Sequence, residues 1–498
     1  MLSGEIRFRS LIVAIVVLMS GVAQAATFNG TVEEVMPGDN AITIKLNGKQ
    51  GTVKKFAVSP TTQVLVDGKK SELADAEAGQ SVTVVADGSN NATRLTLKSV
   101  KGSPAGGSKG AAAGDWPQHR GPLRDNISTE TGLLDKWPDA GPKPGWKQTG
   151  LGEGFSSVSI SDGKVFTMGT NGKTETLLAM NAANGKAMWS VNVGNVRNDG
   201  MGSGPRGTPT VDKDRVYTLG ANGDLVCAKV DKGTVVWQKN ILKEYGGSNI
   251  TWGISESVLI DGDNLICSPG GRDGTIVALN KLTGKNVWSS QVDGSPQAAY
   301  SSPIIIEHGG EKQYVTYVHT GVVGIRAKDG KQLWKQPESA NGTANCSTPL
   351  YADGMVFTAS GYGTGGAMFE LGSDGVGKLA YANKDMVNHH GGMVLLKGHI
   401  YGFDEQILKC IELKTGKTKW QNRSVGKGSI TYADGHLYLR SENGPVALCA
   451  ASPEGYDETG RFEHPNRSSK PAWSHPVVCG GKLYLRDQDL LLVYDVKK

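Results

Sequence analysis

The chain is poor in the groupings that would give it an obvious chemistry. Its six cysteines, Cys227, Cys267, Cys346, Cys410, Cys449 and Cys479, stand singly along 498 residues, with no Cys-Cys, Cys-x-x-Cys or Cys-x-x-Cys-His. Those absences exclude a covalently attached c-type haem and give no sign of a disulfide framework or a metal knot. Cys227, Cys410 and Cys449 sit in apolar strand-like stretches such as Leu225-Val226-Cys227-Ala228, so buried thiols are expected. Charge of one sign is lacking too: 53 Lys and Arg against 48 Asp and Glu leave +5, with no basic run. Nucleic acid is therefore not implied as a partner. Long apolar runs are missing as well, and residues 11–19 are too few to cross a bilayer as a permanent helix.

That short run has a use of its own. Arg7 and Arg9 precede it and Ala23-Gln24-Ala25 follows it, the layout of a secretory signal peptide, residues 1–25. With no Cys after the cleavage site to accept a lipid, a soluble periplasmic or secreted product without an integral membrane segment is expected.

What the chain has in quantity is glycine, 69 residues, with few long helical patterns, which predicts an all-β protein rich in tight turns. Residues 26–100 carry short alternating runs at 41–46, 52–58, 63–66, 81–85 and 93–100, a small five-stranded β-barrel or sandwich, with one helical turn over 71–78. Residues 101–114, rich in Gly, Ala and Ser, read as a flexible linker.

From residue 115 to 498 repetition dominates. A Gly stands four residues before an aromatic six times: Gly185/Trp189, Gly233/Trp237, Gly284/Trp288, Gly330/Trp334, Gly377/Tyr381 and Gly416/Trp420. A strand-turn-strand pattern such as 159–166 or 211–217 recurs eight times. The period suits one four-stranded propeller blade per repeat and predicts an eight-bladed β-propeller. The eighth unit stops after three strands, whereas Trp146 precedes the first unit in an orphan strand, which predicts that the strand around Trp146 closes the last blade. Trp146, Trp189, Trp237, Trp288, Trp334, Tyr381 and Trp420 are read as structural, their rings wedged between blades and the repeat Gly in a turn of positive φ.

The stretch Ala-Leu-Asn-Lys-Leu-Thr-Gly-Lys-Asn-Val-Trp ending at Trp288, with its siblings, resembles the tryptophan-docking repeat of pyrroloquinoline quinone (PQQ) propellers, over nearly everything after residue 115. That resemblance implies one of two functional groups. One is the quinoprotein dehydrogenases; the other is BamB, a non-enzymatic scaffold that helps assemble outer-membrane proteins. The first implies PQQ stacked on a Trp, a calcium ion polarising its carbonyl, and a carboxylate base. No adjacent Cys pair, no haem motif and no distinctive Asp base stand here for it, although some soluble quinoproteins lack the Cys pair. The reading is thus a non-catalytic, monomeric scaffold or binding protein of the cell envelope with no cofactor. The alternative is a PQQ- and calcium-dependent alcohol or sugar dehydrogenase.

In either case the partner, an envelope protein or a small polar ligand, is expected at the propeller face that carries the irregular D-to-A and B-to-C connections. The candidate funnel comprises Arg206, Asn249, Trp252, Glu256, Tyr300, Asn345, His389, His390, Trp473 and His475 from the first kind of connection and Arg272, His319 and Tyr362 from the second. Arg and Glu would fix charge while Trp and Tyr offer stacking faces. His389 and His390, if extended, would point to opposite sides, so one of them is expected to face the axis. No metal site is assigned. Glu256 with Asn345 would be hard oxygen donors for calcium or simply loop hydrogen bonders. Gly361-Tyr-Gly-Thr-Gly-Gly366 lies between strands and opens no helix, so it is no dinucleotide fingerprint.

Overall fold

A computed structural model describes residues 114–498 throughout and residues 26–98 apart from short stretches at 37–39, 48–51, 67–68, 74–75, 77–79 and 88. The expected signal peptide and all but the last residue of the expected linker lie outside the described residues. The chain divides into two units, 1–103 and 104–498.

The first unit is a small barrel built from β1 (Ala26–Met36), β2 (Ala41–Leu46), β3 (Val53–Val66), β4 (Lys69–Ser71), β5 (Ser81–Ala86) and β6 (Asn91–Lys98). Strand order is β2-β1-β5-β6-β3, and β2 pairs again with β3 to close a five-stranded ring, with β4 as an extra edge. Alternation puts Ile42, Ile44, Phe56, Val84, Leu95 and Leu97 in a fully buried core. The expected count holds, but two strands differ. Runs 52–58 and 63–66 are one strand, bent at a register shift beside Pro60. The fifth barrel strand is instead β1, whose many polar residues hide its alternation.

The second unit is an eight-bladed propeller. Blades 1 to 7 span residues 159–195, 210–240, 259–290, 304–336, 350–383, 393–422 and 428–463, each a four-stranded antiparallel sheet. Blade 8 takes three strands from 477–495, and β8 (Lys143–Gln148) pairs with its last strand, Leu490–Asp495. Ring closure is thus a strand exchange between the two ends of the domain, which completes the last blade and covers the edge of its third strand.

The docking geometry explains both the repeat and the cysteines. Trp189 Nε1 donates to Val230 O in the next blade (3.1 Å), Trp237 to Lys281 O (3.0 Å), Trp288 to Ala327 O (3.2 Å) and Trp420 to Ser452 O (2.8 Å). The Trp189, Trp237 and Trp288 rings lie over the repeat Gly of that next blade; at Gly233 (φ +71°) a Cβ would come within 2.6 Å of the Trp189 ring. The residue paired with each indole on the neighbouring strand is slim: Ala179, Cys227, Ala278, Gly324, Cys410. Cys227 and Cys410 are therefore small apolar spacers under tryptophans, buried as expected. One repeat departs. Trp334 donates to Gln313 Oε1 of its own blade (2.9 Å), and the next blade's positive φ falls on Gly375 rather than Gly377.

Residues 115–128, whose placement the sequence leaves open, thread the central channel. Trp116 bridges to Ile160 of blade 1, and β7 (Ile127–Ser128) pairs in parallel with the innermost strand of blade 7. Between them the chain turns back at 118–124, held by Arg124 N–H to Gly121 O (3.2 Å) and Asn126 N–H to Arg120 O (2.9 Å). Gly121 (φ +84°) allows this turn because a Cβ there would strike the Trp116 ring at 2.9 Å. This turn is a plug tip, fixed by guanidinium bonds to the blades. Arg124 donates to Ser257 O (3.0 Å), Pro303 O (2.9 Å) and Val258 O, and Arg120 donates to Met393 O (2.7 Å).

Candidate functional site: a cavity above the plug

The plug tip is the floor of a cavity of about 240 Å³ on the face where the D-to-A connections gather. His119 and Arg120 form the base, and Phe155, Trp252, Tyr300, Tyr362 and Trp473 supply aromatic walls. A belt of hydroxyls two residues ahead of the innermost strands of blades 1 to 5 ties the walls together. Ser157 N–H donates to Thr208 Oγ1 (3.2 Å), Thr208 N–H to Ser257 Oγ (2.9 Å) and Ser257 N–H to Ser302 Oγ (2.9 Å). These Ser and Thr residues line the cavity and were missed from sequence. The available signal was their recurrence as Ser-Val, Thr-Pro or Ser-Pro just before blades 1 to 5.

Of the thirteen residues expected in the funnel, Arg206, Trp252, Tyr300, Tyr362, His389, His390, Trp473 and His475 line this cavity, and five do not. Asn249 turns its amide to Ala221 O (3.0 Å) and Asn222 Oδ1 (3.1 Å). Arg272 is exposed beside Asp273. Asn345 donates to His319 O (2.9 Å) and accepts from Asn341 N–H (2.8 Å), so it braces its own loop and holds His319 by its backbone. Glu256 is buried outside the lining, accepting from Ser268 N–H (2.8 Å), and burial pushes its carboxyl up to about 8. Glu256 and Asn345 are therefore loop hydrogen bonders and offer no calcium pair to the cavity.

The histidine pair needs correction. Residues 388–390 belong to no strand, the first strand of blade 6 starting only at Met393, and both rings line the cavity with centroids 4.2 Å apart. Alternation of side chains applies to strands, and this loop is not one. Lys427 Nζ donates to His389 Nδ1 (2.9 Å), and burial, then Lys427, lowers His389 to about 4. His390 Nε2 lies 3.1 Å from Glu442 Oε1, and burial drives its pKa well below the usual imidazole value. Asn126 donates to His475 Nδ1 (3.0 Å), while His475 Nε2 donates to His390 O (2.9 Å); burial lowers His475 to about 4. These imidazoles are uncharged at neutral pH, and the bonds of His475 fix loops.

Among the described residues no Asp or Glu lines the cavity. A calcium-bound quinone would need carboxylate oxygens for the ion and a carboxylate base for the alcohol proton, and neither is present in the lining. Trp473 is also engaged on both sides, stacked on Phe155 (4.5 Å) with His390 at 4.8 Å. The donor set does not fit calcium-bound PQQ, and among the described residues no group of three His, Cys, Asp or Glu suits a metal ion.

A family model described as outer membrane protein assembly factor BamB matches residues 127–268 and 173–422, together more than half of the chain and centred on the blades just described. The chain belongs to this family. BamB of Yersinia pestis is 25% identical over 224 residues, 44% of this chain and 52% of that protein; BamB of Moranella endobia is 26% identical over 225 residues, 43% and 52%. The chain spans about half the length of these curated relatives. Among solved structures, the quinohemoprotein alcohol dehydrogenase ADHIIG of Pseudomonas putida is similar with TM-score 0.56 at 12% identity, covering 77% of this chain and 80% of that one. The quinohemoprotein alcohol dehydrogenase of Comamonas testosteroni gives 0.54 at 12%, covering 78% and 81%. At such identity these two likenesses concern the fold alone.

Proposed function

We propose that this BamB-family propeller is a non-catalytic scaffold or binding protein of the cell envelope, exported through residues 1–25 and acting in the assembly of outer-membrane proteins. The cavity lining carries the reading. It has no carboxylate base, its imidazoles are neutral, and its floor is a plug bonded to carbonyls of several blades. Such a face presents a rigid, aromatic-edged surface to a partner, and its irregular loops supply specificity. Deletion of the gene in the source organism is expected to lower the abundance of outer-membrane β-barrel proteins, with rescue by the full chain and not by a chain lacking residues 1–25. In parallel, calorimetric titration of the mature protein with PQQ and calcium is expected to show no saturable binding. An unchanged outer-membrane proteome, or calcium-dependent PQQ binding with reduction of an acceptor dye, would overturn the reading.

A further inference from the structure

Among the described residues the cavity offers a ligand no free charge. Arg206 Nη2 lies 2.6 Å from Asp199, the Asp125 carboxylate offsets the charge of Arg120, and Lys427 stands between Glu405 (3.3 Å) and the His389 ring. His119, on the plug tip, joins the other imidazoles: burial drives its pKa well below the usual value, so it is uncharged at neutral pH. An ion entering here would lose its hydration without gaining a counter-charge.

What the lining has instead is ring faces and groups that both donate and accept. Tyr362, His389, His390, Trp473 and Phe155 form one arc of touching rings with centroids 4.2 to 4.8 Å apart, and Trp252 and Tyr300 form a second pair at 5.7 Å. Thr208, Ser257 and Ser302 each accept a backbone N–H through the side-chain oxygen, and their own hydroxyl protons have no acceptor among the described residues. The ring nitrogens of half-buried His119 and the hydroxyl of exposed Tyr362 are equally without partners among the described residues. A purely apolar ligand would leave these groups unpaired. A cyclic polyol would not, because its hydroxyls donate and accept around the ring edge while its C–H faces lie against aromatic rings. At about 240 Å³ the cavity is smaller than the roughly 300–1,000 Å³ of sites for drug-sized ligands, which limits the occupant to a single ring. We propose that the cavity binds one neutral pyranose unit, with Trp252 and Tyr362 against its faces and His119, Thr208, Ser257 and Ser302 as partners of its hydroxyls. This deepens, and rests on, the reading of the propeller as a binding protein rather than an enzyme.

The test is calorimetry on the mature full chain with glucose, galactose, mannose and N-acetylglucosamine, each as the free sugar and as its methyl glycoside, and with phenol as a ring without the polyol edge. Saturable binding of at least one sugar, about tenfold or more tighter than phenol, is expected from a few neutral hydrogen bonds. Binding of the free sugar alone identifies a monosaccharide ligand, and equal binding of its methyl glycoside identifies the end of a glycan chain. Trp252→Ala, Tyr362→Ala and His119→Phe should each weaken the bound sugar about tenfold while leaving the melting temperature near that of the parent. If a variant does not fold, the comparison of sugar with phenol decides. No binding of any of the sugars, phenol bound as tightly, or sugar binding unaffected by both aromatic substitutions would overturn the proposal. Such a failure leaves the outer-membrane phenotype of the deletion untouched, so the two readings fall separately.

Discussion

At the scale of single residues, the buried arginines of the plug are unusual in lacking a hydrogen-bonded carboxylate. Arg124 donates to a side-chain amide and to the carbonyls of residues 257, 258 and 303, so it satisfies backbone groups that would otherwise be orphaned at the start of two blades. Replacing it with Met keeps the volume and strands those acceptors. Arg124→Met is expected to destabilise the propeller by roughly 3–5 kcal/mol, read from urea unfolding. A loss below about 1 kcal/mol would show that water takes over the role. Nothing in the local sequence announces this function: Arg124 sits in Gly-Pro-Leu-Arg-Asp, which reads as a surface turn. The docking tryptophans were legible because their offset from Gly recurs, whereas Arg124 occurs once and its carbonyl partners on the blades lie more than a hundred residues away.

At the scale of elements, the decisive connection is the strand that returns from before the first blade to the last. β8 pairs with 490–495 and Trp146 donates to Ala182 O of blade 1 (3.0 Å), so its loss would uncover both a sheet edge and a blade interface. A chain that starts at residue 104 should melt within a few degrees of the full propeller transition. One that starts at residue 149, lacking plug and closing strand, should melt roughly 10 °C lower or more, checked by scanning calorimetry. Equal melting of the two would mean that the ring closes without either. Element counts were readable from turn spacing and alternation, but two local readings failed for identifiable reasons. A polar β1 hid its period in the barrel, and the histidine loop was given strand geometry it does not have.

At the scale of the whole molecule, buried titratable groups of opposite kind set the pH response. Burial raises Glu256 to about 8 and Glu442 and Glu175 to about 7, so the folded state holds protons that the unfolded chain releases above about 4.5. Their contribution is present at low pH and is lost as pH rises through 7 to 8. His389 and His475, lowered to about 4, act oppositely: their contribution is complete above the unfolded value near 6.5 and is lost as pH falls toward 4. Stability should therefore decline from pH 6.5 to 8.5, and Glu256→Gln should flatten that limb, measured as urea midpoints across pH. A limb unchanged by the substitution would show that Glu256 is ionised in the fold.

The sequence by itself determined the architecture, because a propeller is written in local, repeated signals: β-branched strands, tight Gly turns and an aromatic at one offset, each acting within a blade or on its neighbour. Eight blades, the closing strand, the buried thiols and the aromatic rim all follow from those short-range rules. Only the tertiary structure decided what the channel holds and which loop residues meet. The plug arginines reach carbonyls more than a hundred residues away. Such contacts leave no period in the chain, so no pattern along it records them.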